Sequence, residues 1–277
     1  MIVAIVSRKG GVGKTTSAVS LAGAFALAGR RALVVDLDPQ ASASRSLGVA
    51  RAELAPSIHD VLFRSVPAAA ALRATSRPGL DLLTASADLV HADLDLAPLR
   101  RREERLAEVL APVAGGYDWI LLDCPPALSG LAANAMVAAD GTLIPCAPQP
   151  LACDGVDIVL DSADRLRGRY GRPQRDYGLL LTMVDRRTRS ALAHVAELRL
   201  RYGLHVFDAE IPVNVRLAES PAAGRSIFDF DPKASGAHAY RLAAVELAER
   251  AGVSGAAGSA AAPASAPAPP AEPAPSP

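Results

Sequence analysis

Two lysines five residues apart bracket three glycines in Arg8-Lys9-Gly10-Gly11-Val12-Gly13-Lys14-Thr15-Thr16, a string that follows the apolar run Ile2–Ser7 and opens a helical pattern. Glycines let a backbone close tightly around phosphate oxygens, and a helix N-terminus adds free amides and the positive end of its dipole. Between a strand and a helix, such a loop predicts a phosphate cradle. In it Lys14 is expected to reach the β- and γ-phosphates of a nucleotide and the Thr15 hydroxyl to coordinate Mg²⁺, with Lys9, Gly10, Gly11, Val12, Gly13 and Thr16 completing the cradle. The full G-x-x-x-x-G-K-T pattern is not met, because Arg8 stands at its first glycine. The chain has 26 Arg and only three Lys, and two of those three lie in this loop. A compact ammonium enters a ring of backbone amides where a planar guanidinium does not.

Two apolar runs end in carboxylates: Val34-Val35-Asp36-Leu37-Asp38-Pro39-Gln40 and Ile120-Leu121-Leu122-Asp123-Cys124-Pro125-Pro126. Ligands of open α/β sheets sit at the C-terminal ends of the strands, which makes these aspartates candidates for the same site. Either run alone could equally supply a helix cap. Both together with the glycine loop favour a nucleotide site; the second run looks like a Walker B strand, a resemblance that implies that Asp123 holds Mg²⁺ through water.

The elements needed to position these groups are legible. Ile2–Ser7, Ala32–Leu37, Leu80–Thr84, Trp119–Asp123, Gly141–Cys146, Gly178–Val184 and His205–Ile211 read as strands, several of them apolar on both faces. They alternate with amphipathic stretches at Thr16–Ala28, Arg101–Ala111, Gly155–Arg169 and Ser190–Tyr202, and a last helix is expected near Ala237–Arg250. Doubly buried strands separated by helices predict an α/β fold, a mostly parallel twisted sheet with helices on both faces. One such domain is expected over residues 1–253. Residues 254–277 turn to Ala, Pro, Ser and Gly with Glu272 as the only charge, which predicts a disordered tail.

Cys124, Cys146 and Cys153 show no C-x-x-C spacing and read as buried thiols. No apolar run reaches the roughly 18 residues of a membrane span, and the N-terminus runs into the glycine loop without room for a secretory leader, so a cytoplasmic protein is expected. Formal net charge is +0, so any nucleic-acid site must be a local patch. One window qualifies: from Arg165 to Arg201 there are ten arginines against three acids, Asp176, Asp185 and Glu197. Aromatic residues are 4% of the chain, which favours contact with duplex phosphates over stacking on single strands.

With its second lysine, the glycine loop resembles the deviant Walker-A family of ATPases, which includes ParA and MinD and carries K-G-G-x-G-K-T. The strings Asp36–Gln40, Asp123–Pro126 and Ile211-Pro212-Val213-Asn214-Val215-Arg216-Leu217-Ala218-Glu219-Ser220-Pro221 bring it closer to ParA than to MinD, over roughly residues 1–250. This resemblance implies an ATP- and Mg²⁺-dependent homodimer in which Lys9 crosses to the partner's nucleotide. It further implies that Asp38 positions the attacking water, that Gln40 and Asp123 belong to switch segments sensing the γ-phosphate, and that Pro212 lies against the adenine. Arg187 and Arg216 match arginines that contact DNA in ParA relatives. The implied partners are non-specific duplex DNA, with nucleoid association in the ATP state, and a ParB-like or other adaptor that stimulates slow basal hydrolysis. The cargo is a plasmid, a chromosome or a protein.

Departures accompany the match: Ala41-Ser42-Ala43-Ser44 replaces a common G-N-A-T, Val213 replaces an arginine, and Gln149-Pro150-Leu151 stands where many chromosomal members have an acidic and aromatic cluster. The alternative is a MinD-like membrane-associated positioning ATPase; it needs a terminal amphipathic helix, and the Ala/Pro-rich composition of residues 254–277 makes it the weaker reading. A relative of the nitrogenase iron protein needs two cluster cysteines per subunit, and the contexts of these three do not fit.

Overall fold

A computed structural model describes residues 1–171 and 175–253. The expected tail and part of the arginine window, Arg172 included, lie outside the described residues. Eight strands form one sheet in the order β3-β4-β2-β5-β1-β6-β7-β8: β1 (Ile2–Ile5), β2 (Ala32–Asp36), β3 (Leu72–Ala74), β4 (Leu80–Leu83), β5 (Trp119–Asp123), β6 (Gly141–Cys146), β7 (Arg175–Val184) and β8 (Val206–Pro212). Every neighbouring pair is parallel except β3–β4.

Alternation along the central strands divides the core into two layers. Val3, Ile5, Val34 and Leu121 face the helices Lys14–Leu27 and Ser235–Arg250, whose Ala18, Leu21, Ala22, Phe25, Tyr240, Ala243 and Leu247 fill that side. Ala4, Val6, Val35 and Leu122 face the opposite way, onto Leu106, Leu110, Leu131, Val156, Val159 and Leu198 from the other helices. Ala18, Leu21, Ala22 and Phe25 recur at helical spacing, so one stripe of the first helix lies on the sheet. Phe25 stacks on Trp119 with ring centroids 4.1 Å apart, which pins that helix over β5. Because Lys14 begins this helix, the packing also fixes where the glycine loop sits.

All seven expected strands are present, with ends shifted by a few residues. The helix expected over Arg101–Ala111 is one 3-10 turn, Arg102–Glu104, followed by a helix over Arg105–Ala114. Several elements have no counterpart in the sequence reading, among them the short helices Ser42–Ser46, Ile58–Phe63, Ala92–Leu96 and Val215–Glu219, the strand β3 and the helix Gly130–Ala138. The strand β3 is three residues long, too short to show a period, and the helix Gly130–Ala138 is apolar nearly all round because seven of its nine residues are buried. All three cysteines are free and buried, as expected. Among the described residues no helix is long and apolar enough to cross a membrane.

Candidate functional site

The strands β2, β5 and β1 are neighbours at the middle of the sheet, so their C-terminal ends open onto one edge. Asp36 and Asp123 are register partners across β2 and β5, and Ile5 partners Asp123 across β1 and β5. The loop that leaves β1 at this edge turns through Gly11 and Gly13, with φ of 74° and 83°. L-residues disfavour that conformation, and it lets the loop fold back over the helix start. Gly10 approaches Pro126 closely enough that a Cβ there would meet the proline Cβ at 4.0 Å.

Lys14 is buried, and its ammonium donates to the Lys9 carbonyl at 3.3 Å. Burial lowers its pKa, while the charges of Asp123, Cys124 and Asp38 oppose the fall. Asp123 is fully buried and neither of its carboxylate oxygens closes a hydrogen bond. Burial pushes its pKa well above the usual carboxylate range; the charge of Asp36 adds to this, and the Thr15 hydroxyl and Lys14 work against it. A buried carboxylate without a donor is costly unless it is paired or serves a cation. Thr15 and Asp123 therefore fit a hydrated Mg²⁺. Among the described residues no three His, Cys, Asp or Glu converge on a point, so the donors of such an ion would be chiefly hydroxyl, water and phosphate oxygens, which suits magnesium.

Asp36 and Asp38 share a strand end but do different work. Asp36 is sealed in, accepting from the Ser44 amide and hydroxyl at 2.8 Å each and from the Asp38 amide at 3.2 Å. Burial still raises its pKa to about 6, against those hydrogen bonds. It anchors the following segment, which makes it the structural one of the pair. Asp38 is half-exposed, and its Oδ1 accepts only the Gln40 amide, at 2.9 Å, so the side chain has capacity left for another partner. Gln40 itself is exposed, and Ala41 beyond it takes a left-handed φ of 52° before the short helix Ser42–Ser46.

The second lysine behaves differently from the first. Lys9 is exposed, and its Nζ donates to Gln149 Oε1 at 2.7 Å, across the chain from the loop after β6. Beside it Leu151 is 80% exposed with a φ of 63°. Pro212 ends β8 opposite Val184 and lines a cavity of about 640 Å³ with Val213, Ala239 and Arg187. The residue expected against adenine and one expected against DNA thus border the same recess.

Arg187 and Arg216 follow the C-terminal ends of the adjacent strands β7 and β8, and both are held by acids. Arg187 makes a fork to Asp185 (Nε–Oδ1 2.8 Å, Nη2–Oδ2 2.9 Å), which pulls the Asp185 carboxyl down to about 2. Arg216 donates to Glu219 at 2.9 Å and lies 3.5 Å from Asp231. Elsewhere in the window, Arg186 and Arg199 both reach Glu210, Arg201 pairs with Asp157, and Arg169 lies 3.8 Å from Glu103. The charge excess counted along the sequence is therefore reduced by acids that are distant in sequence.

Three contributors escaped the sequence reading. Ser44 was visible only as a departure from a family string, yet it clamps Asp36 and accepts the Ala85 amide at 3.1 Å. Gln149 was likewise a departure, and holds Lys9. Thr182 donates to the Val12 carbonyl at 2.8 Å over 170 residues, and nothing in its local sequence signals that contact.

A family model described as an AAA domain matches residues 1–172. The chromosome partitioning protein ParA of Caulobacter vibrioides is 38% identical over 251 residues, covering 90% of this chain and 94% of that protein. The sporulation initiation inhibitor protein Soj of Bacillus subtilis is 36% identical over 247 residues, covering 89% and 98%. Among solved structures, cobyrinic acid a,c-diamide synthase from Mycobacterium smegmatis with bound ADP and magnesium matches with a TM-score of 0.77 and 33% identity, over 91% of this chain and 96% of that one.

Proposed function

From the premise that the chain belongs to the ParA-type family of P-loop ATPases, we propose that it is a positioning ATPase whose ATP-bound dimer binds duplex DNA without sequence preference and moves a cargo. The observation that carries the ATPase part is the buried carboxylate of Asp123, whose oxygens close no hydrogen bond of good geometry and whose stabilisation comes from Thr15 and Lys14 beside it. Bound ATP with Mg²⁺ supplies the transferable phosphoryl group and the cation that neutralises its charge. The chain's residues bind and orient. Lys14 and the loop amides hold phosphate oxygens, Thr15 and Asp123 hold the cation side, and Asp38 orients the attacking water, a positioning role more than strong base chemistry.

Lys9 supports the dimer part. Lys14 already points into the loop, whereas Lys9 turns outward to Gln149, where a second copy facing this edge would meet it. In the dimer Lys9 leaves Gln149 for the partner's nucleotide. An adaptor protein then triggers hydrolysis, and ATP-bound protein collects on the nucleoid until it does.

Size-exclusion chromatography with light scattering tests the dimer. ATP with Mg²⁺ is expected to double the mass while ADP leaves the monomer, and Lys9→Ala is expected to stay monomeric with ATP while still binding it. A Lys9→Ala protein that dimerises as well as the parent removes the crossing role.

A further inference from the structure

The carbonyls of the glycine loop are as constrained as its amides. A loop that turns N–H groups toward a ligand turns C=O groups away from it, and a carbonyl turned into the protein needs a donor. Three carbonyls have one. Lys9 O accepts from Lys14 Nζ at 3.3 Å and Gly13 O from the Ser17 amide at 2.8 Å, both donors belonging to the loop and its own helix. Val12 O accepts from Thr182 Oγ1 at 2.8 Å, and that donor comes from β7, two strands away from β1.

Thr182 and Val12 are both buried, at 1% and 4% exposure, so water does not substitute for this bond. The threonine also packs on the next residue: a Cβ on Gly13 would lie 3.9 Å from both Thr182 Cβ and Cγ2. Val12 sits between two left-handed glycines, which leave its flanking peptides free to rotate. In a planar trans peptide the C=O and the following N–H point in opposite directions. Holding the Val12 carbonyl toward β7 therefore holds the Gly13 N–H toward the cradle. The end of β7 is built for this. Its register with β8 shifts between Leu181 and Val184, and Met183 takes a φ of 53°. Irregularities of this kind re-aim a neighbouring side chain.

We infer that Thr182 is a positioning residue for nucleotide binding, acting through the Val12–Gly13 peptide. The inference rests on ATP binding at this loop and not on dimerisation, DNA or cargo, so those readings and this one fail separately. Thr182→Val keeps the shape and deletes the donor; Thr182→Ser keeps the donor and deletes the methyl. In the full chain, Thr182→Val is expected to weaken fluorescent ATP and ADP analogues by about tenfold, the scale of one buried carbonyl left without its donor. It is also expected to speed hydrogen exchange of the peptide covering residues 8–14 in nucleotide-free protein. Thr182→Ser should bind within about threefold of the parent, since the hydroxyl remains. Parental affinity and exchange in Thr182→Val would reduce Thr182 to packing. If Thr182→Val is too unstable to assay, Thr182→Ser against Thr182→Ala isolates the hydroxyl, and equal affinities in that pair overturn the inference.

Discussion

Arg187 shows how residue type and spacing under-determine a role. As one arginine of an unbalanced window it reads as a phosphate contact, but its guanidinium is forked onto Asp185. The pairing has a sign. A carboxyl pulled from its ordinary value near 4 to about 2 favours the folded state above that ordinary value, and the gain is lost as pH falls toward 2. Near neutral pH the fork is therefore intact, and in the proposed DNA-bound form a phosphate would have to compete with Asp185 for Arg187. Both groups are solvent-exposed, so the competition is mild. Asp185→Asn is expected to strengthen binding of the ATP form to duplex DNA by up to about fivefold, the scale of an exposed ion pair. Fluorescence anisotropy with an unrelated duplex measures this; weaker binding by Asp185→Asn would mean that the fork itself presents Arg187 to DNA. The candidate-site aspartates Asp36, Asp38 and Asp123 were legible because they stand at the ends of apolar runs. That Asp36 is sealed by Ser44 while Asp38 stays half-exposed was not, since both sit in one five-residue string and only packing separates them.

At the scale of elements, the strands were legible because burial on both faces leaves a continuous apolar record, and the first helix because Ala18, Leu21, Ala22 and Phe25 recur at helical spacing, although every residue from Ser17 to Phe25 is buried. The edge strand β3 and the helix Gly130–Ala138 left no such record, the one too short and the other buried nearly all round. Contacts between loops are the least visible, because a hydrogen bond between residues 140 apart has no periodicity. The Lys9–Gln149 bond is the consequential case. It ties the glycine loop after β1 to the loop after β6, and a neutral amide is a weaker acceptor for an ammonium than a carboxylate. Gln149→Glu is expected to hold Lys9 back and raise the ATP concentration for half-maximal dimerisation by about threefold to tenfold, a charge-assisted bond replacing a neutral acceptor. Light scattering across an ATP titration reads the shift. A lower requirement in Gln149→Glu would mean that residue 149 serves the dimer and not the separated chain.

For the whole molecule, a net charge of +0 and arginines shared with Glu103, Asp157, Glu210 and Asp185 lead to the expectation that the monomer binds DNA weakly. A two-fold dimer repeats the β7 and β8 ends, with Arg187 and Arg216, and roughly doubles the phosphate contacts available to one duplex. Each neutralised phosphate contributes about −0.9 to the slope of log affinity against log salt, so doubled contacts appear as a steeper slope. The most direct measurement is a titration of unrelated duplexes at several salt concentrations with an ATP-locked Asp38→Ala protein, beside the same protein carrying Arg187→Glu or Arg216→Glu. The account predicts similar affinities for all sequences, a steep slope with ATP, little binding with ADP, and weaker binding with a shallower slope in both charge-reversal variants while dimerisation is kept. Unchanged affinity in those variants would put the DNA face elsewhere, and ATP-dependent binding to anionic liposomes with none to DNA would contradict the account.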